Sequence, residues 1–223
     1  MLELHYYPSN ASLAPHLVLL ELGLPFTKVL VDRTVQAHKA PDYLALNPNG
    51  LIPVLRDGEL VLFEAAAICL HLADRPGAPD TAPPLMPPPG TAARAQATKW
   101  LVWLTNTLQA NLIVYFYPER LVDEGNTEGA AQVKAHAQAM VGRQLDILVA
   151  EFERHGGPWL LGGQHSLCDA YAFMLCRWTR GFSGPASAPA RERPVLAAWL
   201  QRMLARPAVQ RLIADEGLLP PLV

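Results

Sequence analysis

The stretch NPNGLIPVL at positions 47–55 places a proline just inside an apolar run that otherwise has the pattern of a β-strand. Because proline has no backbone donor, Pro53 must lie on an edge strand, at the start of a strand, or in a cis turn. Any of these positions leaves backbone groups of Leu51 and Ile52 unpaired at a sheet edge, where an extended peptide could pair as an added strand. A plain tight turn explains the same residues equally well.

The sequence on both sides of this stretch predicts a small α/β unit. Asp57-Gly58 separates two short apolar runs and indicates a β-hairpin. The predicted order is β-α-β-α-β-β-α, which favours a parallel strand pair extended by an antiparallel hairpin. The predicted strands are 2–7, 26–31, 51–55 and 60–63, and the predicted helices are 12–22, 40–46 and 64–73.

A cluster of prolines then divides the chain. Residues 76–90 contain seven prolines and read as a semi-rigid extended connector. The remaining residues carry apolar side chains at three- and four-residue steps, which predicts helices only. We therefore expect an α/β domain at 1–75, a linker at 76–90 and an all-α domain at 91–223. The predicted helices of that last domain are 91–117, 128–152, 165–178, 194–204 and 208–214.

Two helix starts carry recognisable polar signals. Ser166 and Asp169 form a capping box, and we assign Asp169 a folding role. Glu64 and Ala65 begin another predicted helix, whose free amides can bind a carboxylate while the Glu64 carboxylate can pair with an amino group. A simple acidic residue in a first helical turn is an equally good explanation of Glu64.

Composition narrows the class of protein. The chain has 223 residues, 51% hydrophobic, with a formal charge of -2, so we expect a buried core and no polybasic surface for nucleic acid or membranes. Its three Cys and scattered His show no metal-binding spacing, and there is no phosphate-binding glycine motif, so neither a metal nor a nucleotide is expected. Without a signal-peptide pattern, the expected location is a reducing compartment, the cytoplasm.

Taken together, the segments YPSNAS at 7–12, NPNGLIPVL at 47–55, EAAAI at 64–68 and the later capping box resemble the cytosolic glutathione transferases over almost the whole chain. The similarity is to bacterial, beta- or theta-like members. It implies a thioredoxin-like N-terminal domain, an all-helical C-terminal domain and a homodimer. It also implies glutathione as co-substrate, without a metal.

The resemblance assigns glutathione contacts to particular positions. Ile52, before the cis proline Pro53, would pair with the cysteinyl backbone. Leu51 stands where relatives often have a polar residue, so a side-chain contact is lost but the backbone is kept. The γ-glutamyl group would meet Glu64 and Ala65. The glycyl carboxylate would meet His38 or Lys39.

The thiol contact is expected in the loop after the first strand. The beta-type cysteine is replaced by Ala11, which excludes a mixed disulfide there. The remaining donors are Ser9, Asn10 and Ser12, and Ser12 could instead be only a helix N-cap. Tyr6 and Tyr7 rank below them. A hydroxyl or amide donor would lower the thiol pKa from its usual value near 8.5.

The function implied by the resemblance is transfer of the glutathione thiolate to small hydrophobic electrophiles, as in detoxification. Two alternatives remain: a glutathione-dependent reductase or dehalogenase, and a non-catalytic glutathione-binding module of the same fold. The electrophile would contact Gln109, Leu112, Phe116 and Trp178.

Overall fold

A computed structural model describes residues 1–75, 79, 82–183 and 188–223. It contains two compact units: Met1–Pro87 with Leu204–Leu219, and Pro88–Met203 with Pro220–Val223. The expected linker at 76–90 lies partly outside the described residues. The sequence predicts one helical domain over 91–223, whereas the structure groups the segment 204–219 with the first unit.

The strands and helices follow the predicted order. The strands are β1 (Leu2–Tyr6), β2 (Phe26–Leu30), β3 (Val54–Asp57) and β4 (Leu60–Phe63). The helices are α1 (Leu13–Glu21), α2 (Pro41–Leu44), α3 (Ala65–Asp74), α4 (Ala92–Trp103), α5 (Ala110–Phe116), α6 (Thr127–His155), α7 (Leu167–Trp178), α8 (Pro194–Leu204) and α9 (Pro207–Glu216). A π-helical segment, Leu104–Gln109, joins α4 to α5. No described helix is both long and apolar enough to cross a membrane.

The first unit is built on a four-stranded sheet in the order β2-β1-β3-β4. Strand β1 is parallel to β2 and antiparallel to β3, and β3 pairs antiparallel with β4. This confirms the predicted parallel pair and hairpin. Pro53 immediately precedes β3, an inner strand, so of the three predicted positions the structure excludes only the edge strand. The Ile52–Pro53 bond is cis, as the resemblance implied.

Helix α1 is apolar on nearly every face, and the structure shows why. Residues 13–19 are all buried, because α1 packs against α3 and also against α9. A helix covered on opposite sides needs no polar face. The C-terminal segment therefore joins the first unit by covering a helix that would otherwise expose apolar side chains.

The second unit is a helical bundle around α7. Every residue of α7 is buried. The predicted capping box is present at its start, where the Asp169 carboxylate accepts hydrogen bonds from the Ser166 amide (2.9 Å) and the Trp199 indole (3.1 Å). Asp169 is fully buried, and these bonds satisfy a charge that would otherwise be costly to bury. Asp169 also accepts the Leu160 amide at 2.8 Å, so its structural role extends beyond the capping box inferred from the sequence.

A polar cluster attaches α3 to the β3–β4 hairpin. The Asp57 carboxylate accepts hydrogen bonds from Arg75 Nε (2.8 Å) and His71 Nε2 (3.0 Å). The hydrogen bonds from Arg75, and then from His71, lower the pKa of Asp57 from 3.8 to about 2. A pKa lowered by folding stabilises the protein above the unfolded-state pKa, and this stabilisation is lost as the pH falls through the folded-state pKa.

We therefore expect the difference in the free energy of unfolding between the parent and the Asp57→Asn variant to disappear in acid. At neutral pH the variant should be less stable than the parent, and the difference should shrink between about pH 4 and pH 2. Urea denaturation over this pH range measures it. A difference that stays constant down to pH 2 would contradict the role given to Asp57.

Candidate functional site

The loop after β1 is held in place by Ser12. The Ser12 side chain is completely buried. Its Oγ donates to the Tyr7 carbonyl oxygen (3.0 Å) and accepts from the Tyr7 amide (3.2 Å). Although Ser12 immediately precedes α1, its side chain forms no capping hydrogen bond. The Ser12 hydroxyl therefore does not cap α1. It bonds both backbone groups of Tyr7 and so holds the two ends of the loop together.

The other two candidate donors, Ser9 and Asn10, are half-buried. The Asn10 Oδ1 atom accepts a hydrogen bond from the Ala11 amide at 2.6 Å, which fixes the orientation of the side chain. Among the described residues, Asn10 Nδ2 has no acceptor. Ser9 has φ +60, a left-handed conformation, and its amide donates to the Glu216 carboxylate at 2.9 Å. Asn10 is therefore an oriented donor with an unused N–H.

The two tyrosines at the end of β1 are both half-buried. Burial, and secondarily the negative charges of Glu216 and Asp215, raise the pKa of Tyr6. A phenol with a raised pKa is a weaker proton donor to a thiolate. Tyr7 packs instead against the small core cluster that contains Ile52, so its role is to support the backbone at the start of β3.

The residues before β3 offer one open backbone position. The Leu51 carbonyl accepts hydrogen bonds from Tyr43 Oη and Asn47 Nδ2, both at 2.8 Å. The expectation that Leu51 leaves its backbone unpaired is therefore wrong for this carbonyl, because two neighbouring side chains reach it. Within the described part of the chain, neither the amide nor the carbonyl of Ile52 forms a hydrogen bond. Both backbone groups of Ile52 are therefore open to a ligand.

Strand register places the start of β3 next to the ends of two other strands. Val54 pairs with His5 on one side and with Phe63 on the other. Tyr7, one residue beyond β1, packs against the core cluster that contains Ile52. The loop at 8–12 and the start of α3 therefore follow directly on the two strands that neighbour β3.

The start of α3 carries an unusual backbone. Glu64 is exposed and has φ +72, a conformation that L-residues rarely adopt. Its carbonyl accepts the Ile68 amide at 3.0 Å, which begins the helix. Among the described residues the amides of Ala65 and Ala66 have no acceptor, as expected for the first turn of a helix. The site therefore combines free N–H groups with an adjacent carboxylate, and backbone strain of this kind is found mainly at functional sites.

His38 and Lys39 lie together in the short helical turn before α2. Lys39 Nζ donates to the Asn49 carbonyl at 3.3 Å, and a Cβ at Gly50 would lie 2.9 Å from the backbone carbonyl oxygen of His38. Gly50 also has φ +58, so glycine is required there on both counts. Burial, followed by repulsion from Arg33 and Lys39, lowers the pKa of His38. Lys39 is thus the cation of this pair at neutral pH, and His38 a neutral donor.

The four residues predicted to contact an electrophile belong to the second unit. Phe116 is 43% exposed and contacts the largely buried Trp178 edge-on, with ring centroids 6.1 Å apart. Leu112 is completely buried and belongs to the core of this unit. Gln109 accepts a hydrogen bond from the Tyr171 hydroxyl at 2.5 Å. The structure brings Phe116 and Trp178 together and gives Gln109 an internal partner.

Sequence reasoning missed three residues that shape this site. Tyr43 and Asn47 fix the Leu51 carbonyl, and Glu216 holds the Ser9 amide. Asn47 lay inside the quoted motif, so its amide was a visible signal. Glu216 is 207 positions from Ser9, and no local pattern could have connected them.

Comparison with known proteins gives a consistent result. The model for the glutathione S-transferase N-terminal domain matches residues 8–75, and that for the C-terminal domain matches 93–207. Glutathione S-transferase 3 of Zea mays is 36% identical, covering 92% of this chain and 89% of its own. Glutathione S-transferase GST-4.5 of Xanthomonas campestris is 33% identical, covering 97% and 100%. A Sulfitobacter glutathione transferase homologue, solved with bound glutathione, has a TM-score of 0.82 at 28% identity, covering 98% of this chain and 99% of its own.

The two bonds of Ser12 predict the effect of removing its hydroxyl. The Ser12→Ala variant leaves the half-buried Tyr7 amide without its partner, so the free energy of unfolding should fall by about 1–3 kcal/mol. Chemical denaturation measures the loss. A change below about 0.5 kcal/mol, typical of an ordinary surface substitution, would contradict this role.

Proposed function

Because this chain belongs to the glutathione S-transferase family, we propose that it binds glutathione beside β3 and transfers the thiolate to small hydrophobic electrophiles. The observation that carries the proposal is the open backbone of Ile52 before the cis proline Pro53. An extended peptide can donate to the Ile52 carbonyl and accept from its amide, as an added strand does. These two bonds would hold the cysteinyl unit in a fixed register.

The γ-glutamyl end of the peptide fits the start of α3. Its α-carboxylate would accept hydrogen bonds from the amides of Ala65 and Ala66, where the helix dipole favours an anion. Its amine would pair with the exposed Glu64 carboxylate. Because β4 pairs with β3 and leads directly to α3, one extended ligand would reach both elements.

The glycyl carboxylate is assigned to the turn before α2. Lys39 supplies a positive charge. His38 Nδ1 is buried and has no hydrogen-bond partner in the described residues, so it can add a neutral donor. The tripeptide would then be bound at three points, and its sulfur would be directed by the central one.

For the thiol we propose Asn10 as the principal donor among Ser9, Asn10 and Ser12. Its Oδ1 is already used by the Ala11 amide, which leaves Nδ2 to donate to sulfur. Ser12 uses its hydroxyl within the loop, and its contribution is therefore structural. A hydrogen bond to the charged form lowers the thiol pKa, and the N-terminal dipole of α1 acts in the same direction.

The chemistry follows from this placement. The thiol loses its proton to solvent, and the Asn10 N–H group stabilises the resulting thiolate. The sulfur lone pair attacks the electrophilic carbon and forms the C–S bond. With a halide substrate, the carbon–halogen electron pair leaves as the halide ion. Holding the nucleophile next to the electrophile supplies the remainder of the rate increase.

The hydrophobic electrophile is assigned to the aromatic pair Phe116 and Trp178 and to Leu112 and Gln109, which precede Phe116 along the same helical segment. An exposed aromatic ring suits an apolar or aromatic substrate. A homodimer, a cytoplasmic location and a role in detoxification belong to the same proposal, since the family resemblance implied them.

The Asn10 proposal is tested by the pKa of the bound thiol. In Asn10→Ala, the loss of a hydrogen bond to an anion should raise that pKa by about one unit or more, and in Asn10→Asp by more still. Thiolate absorbance of bound glutathione as a function of pH measures it. Ser9→Ala is the matched comparison and should change the thiol pKa less. A parent protein that leaves the thiol pKa at its solution value would contradict thiolate activation.

The electrophile assignment predicts a selective effect of Phe116→Ala. The loss of one aromatic contact should raise KM for an aromatic halide by up to about tenfold, while glutathione affinity stays the same. Ile113→Ala, on the same helix, is the control because Ile113 is also partly exposed. Equal effects of the two substitutions would argue against a specific role for Phe116.

A further inference from the structure

Both ends of helix α9 are hydrogen-bonded to other elements of the first unit. Arg206, at its start, makes two hydrogen bonds to the Glu21 carboxylate at the end of α1, both 2.6 Å long. At the other end, Lys28 Nζ donates to the Asp215 carbonyl at 2.9 Å. The helix is thus held over α1 independently of what its last residue does.

That last residue, Glu216, has a completely buried side chain. Its Oε2 accepts the Ser9 amide and its Oε1 lies 2.9 Å from His16 Nδ1, so both oxygens have a partner. A carboxylate is stable in such a place only when it is paired and hydrogen-bonded. Ser9 belongs to the loop that carries the proposed thiol donor, which makes Glu216 a direct link between the end of α9 and that loop.

The bond to Ser9 acts at a strained position. Ser9 has φ +60, and a non-glycine residue keeps such a conformation only where surrounding contacts impose it. The next residue, Asn10, donates its amide to the Tyr7 carbonyl at 3.1 Å. The direction in which the Asn10 side chain leaves the loop is therefore determined by the backbone turn that Glu216 stabilises.

Other charged and titratable groups surround this carboxylate. His16 Nε2 lies 3.8 Å from Asp215 Oδ2, the Tyr6 ring lies 6.1 Å from the His16 ring, and Lys28 Nζ lies 5.2 Å from the centre of the Tyr6 ring. Two basic side chains, Lys28 and His16, therefore lie near the acidic residues Asp215 and Glu216. An uncharged amide at position 216 can keep the same contacts, since the imidazole can either donate or accept at Nδ1.

We propose that Glu216 is a positioning residue for the glutathione thiol: its carboxylate holds the Ser9 amide and thereby directs Asn10 toward the sulfur. The inference rests on the proposed function and deepens it, because it adds the C-terminal helix to the thiol site. Glu216 itself does not touch the substrate. Its removal should therefore impair thiolate formation far more than glutathione binding, which depends on Ile52 and the start of α3.

The experiment compares three variants of the full chain. Glu216→Ala removes both bonds, Glu216→Gln preserves an acceptor for the Ser9 amide, and Arg206→Ala weakens the opposite end of α9 without touching the loop. The first readout needs no glutathione: hydrogen exchange of the segment that contains Ser9 and Asn10. The others are the pKa of the bound thiol, kcat/KM at mildly acidic pH, and the Kd for S-methylglutathione, which has no thiol.

For Glu216→Ala we expect faster exchange of the Ser9 segment, a raised pKa of the bound thiol, and a fall in kcat/KM of about ten- to a hundredfold from misplacement of the donor. The Kd for S-methylglutathione should stay within about twofold. Glu216→Gln should restore most of each property. Arg206→Ala should show the parent's thiol pKa.

Two results would overturn the inference: unchanged exchange of the Ser9 segment in Glu216→Ala, or an equal rise in thiol pKa in Glu216→Ala and Arg206→Ala, which would indicate only an anchor for the helix. Failure of the proposed function has a different signature, since the parent itself would then not bind S-methylglutathione. In that case the exchange measurement still decides whether Glu216 holds the loop.

Discussion

The constraint on which the site depends is the open backbone of Ile52. Strand β3 begins at Val54, and the Leu51 carbonyl already accepts hydrogen bonds from Tyr43 and Asn47. Ile52 lies between them in the chain, and within the described residues neither its amide nor its carbonyl has a partner. Buried or half-buried backbone groups need partners, so this position is suited to bind another peptide.

The candidate residues divide into those that we propose contact glutathione and those that hold them in place. Asn10 Nδ2 and the Ala65 amide have no partner among the described residues, and Glu64 is exposed. The Ser12 hydroxyl is hydrogen-bonded to the Tyr7 backbone, and the Glu216 carboxylate is bonded to the Ser9 amide and to His16. Donors held within fractions of an ångström are what thiolate stabilisation requires.

Local signals in the sequence were enough to predict the fold. The Asp57-Gly58 turn, the proline at 53 and the capping box at 166–169 each determine a nearby geometry, and each is found as expected. Long-range contacts were not predictable in this way. The attachment of α9 to α1, and the bond from Ser9 to Glu216, join residues about 200 positions apart. Within the loop, the sequence offered Ser9, Asn10 and Ser12 as equivalent donors, and only the geometry distinguishes a buried, fully bonded hydroxyl from an open amide.

The most direct test of the account is an NMR titration that follows the backbone amides of the full chain while S-methylglutathione is added. The account predicts that the Ile52 amide shifts most strongly along with those of Ala65 and Ala66, and that Ile52 becomes protected from exchange as its N–H gains an acceptor. Binding that leaves the Ile52 amide unshifted and exchanging as before would contradict the central claim.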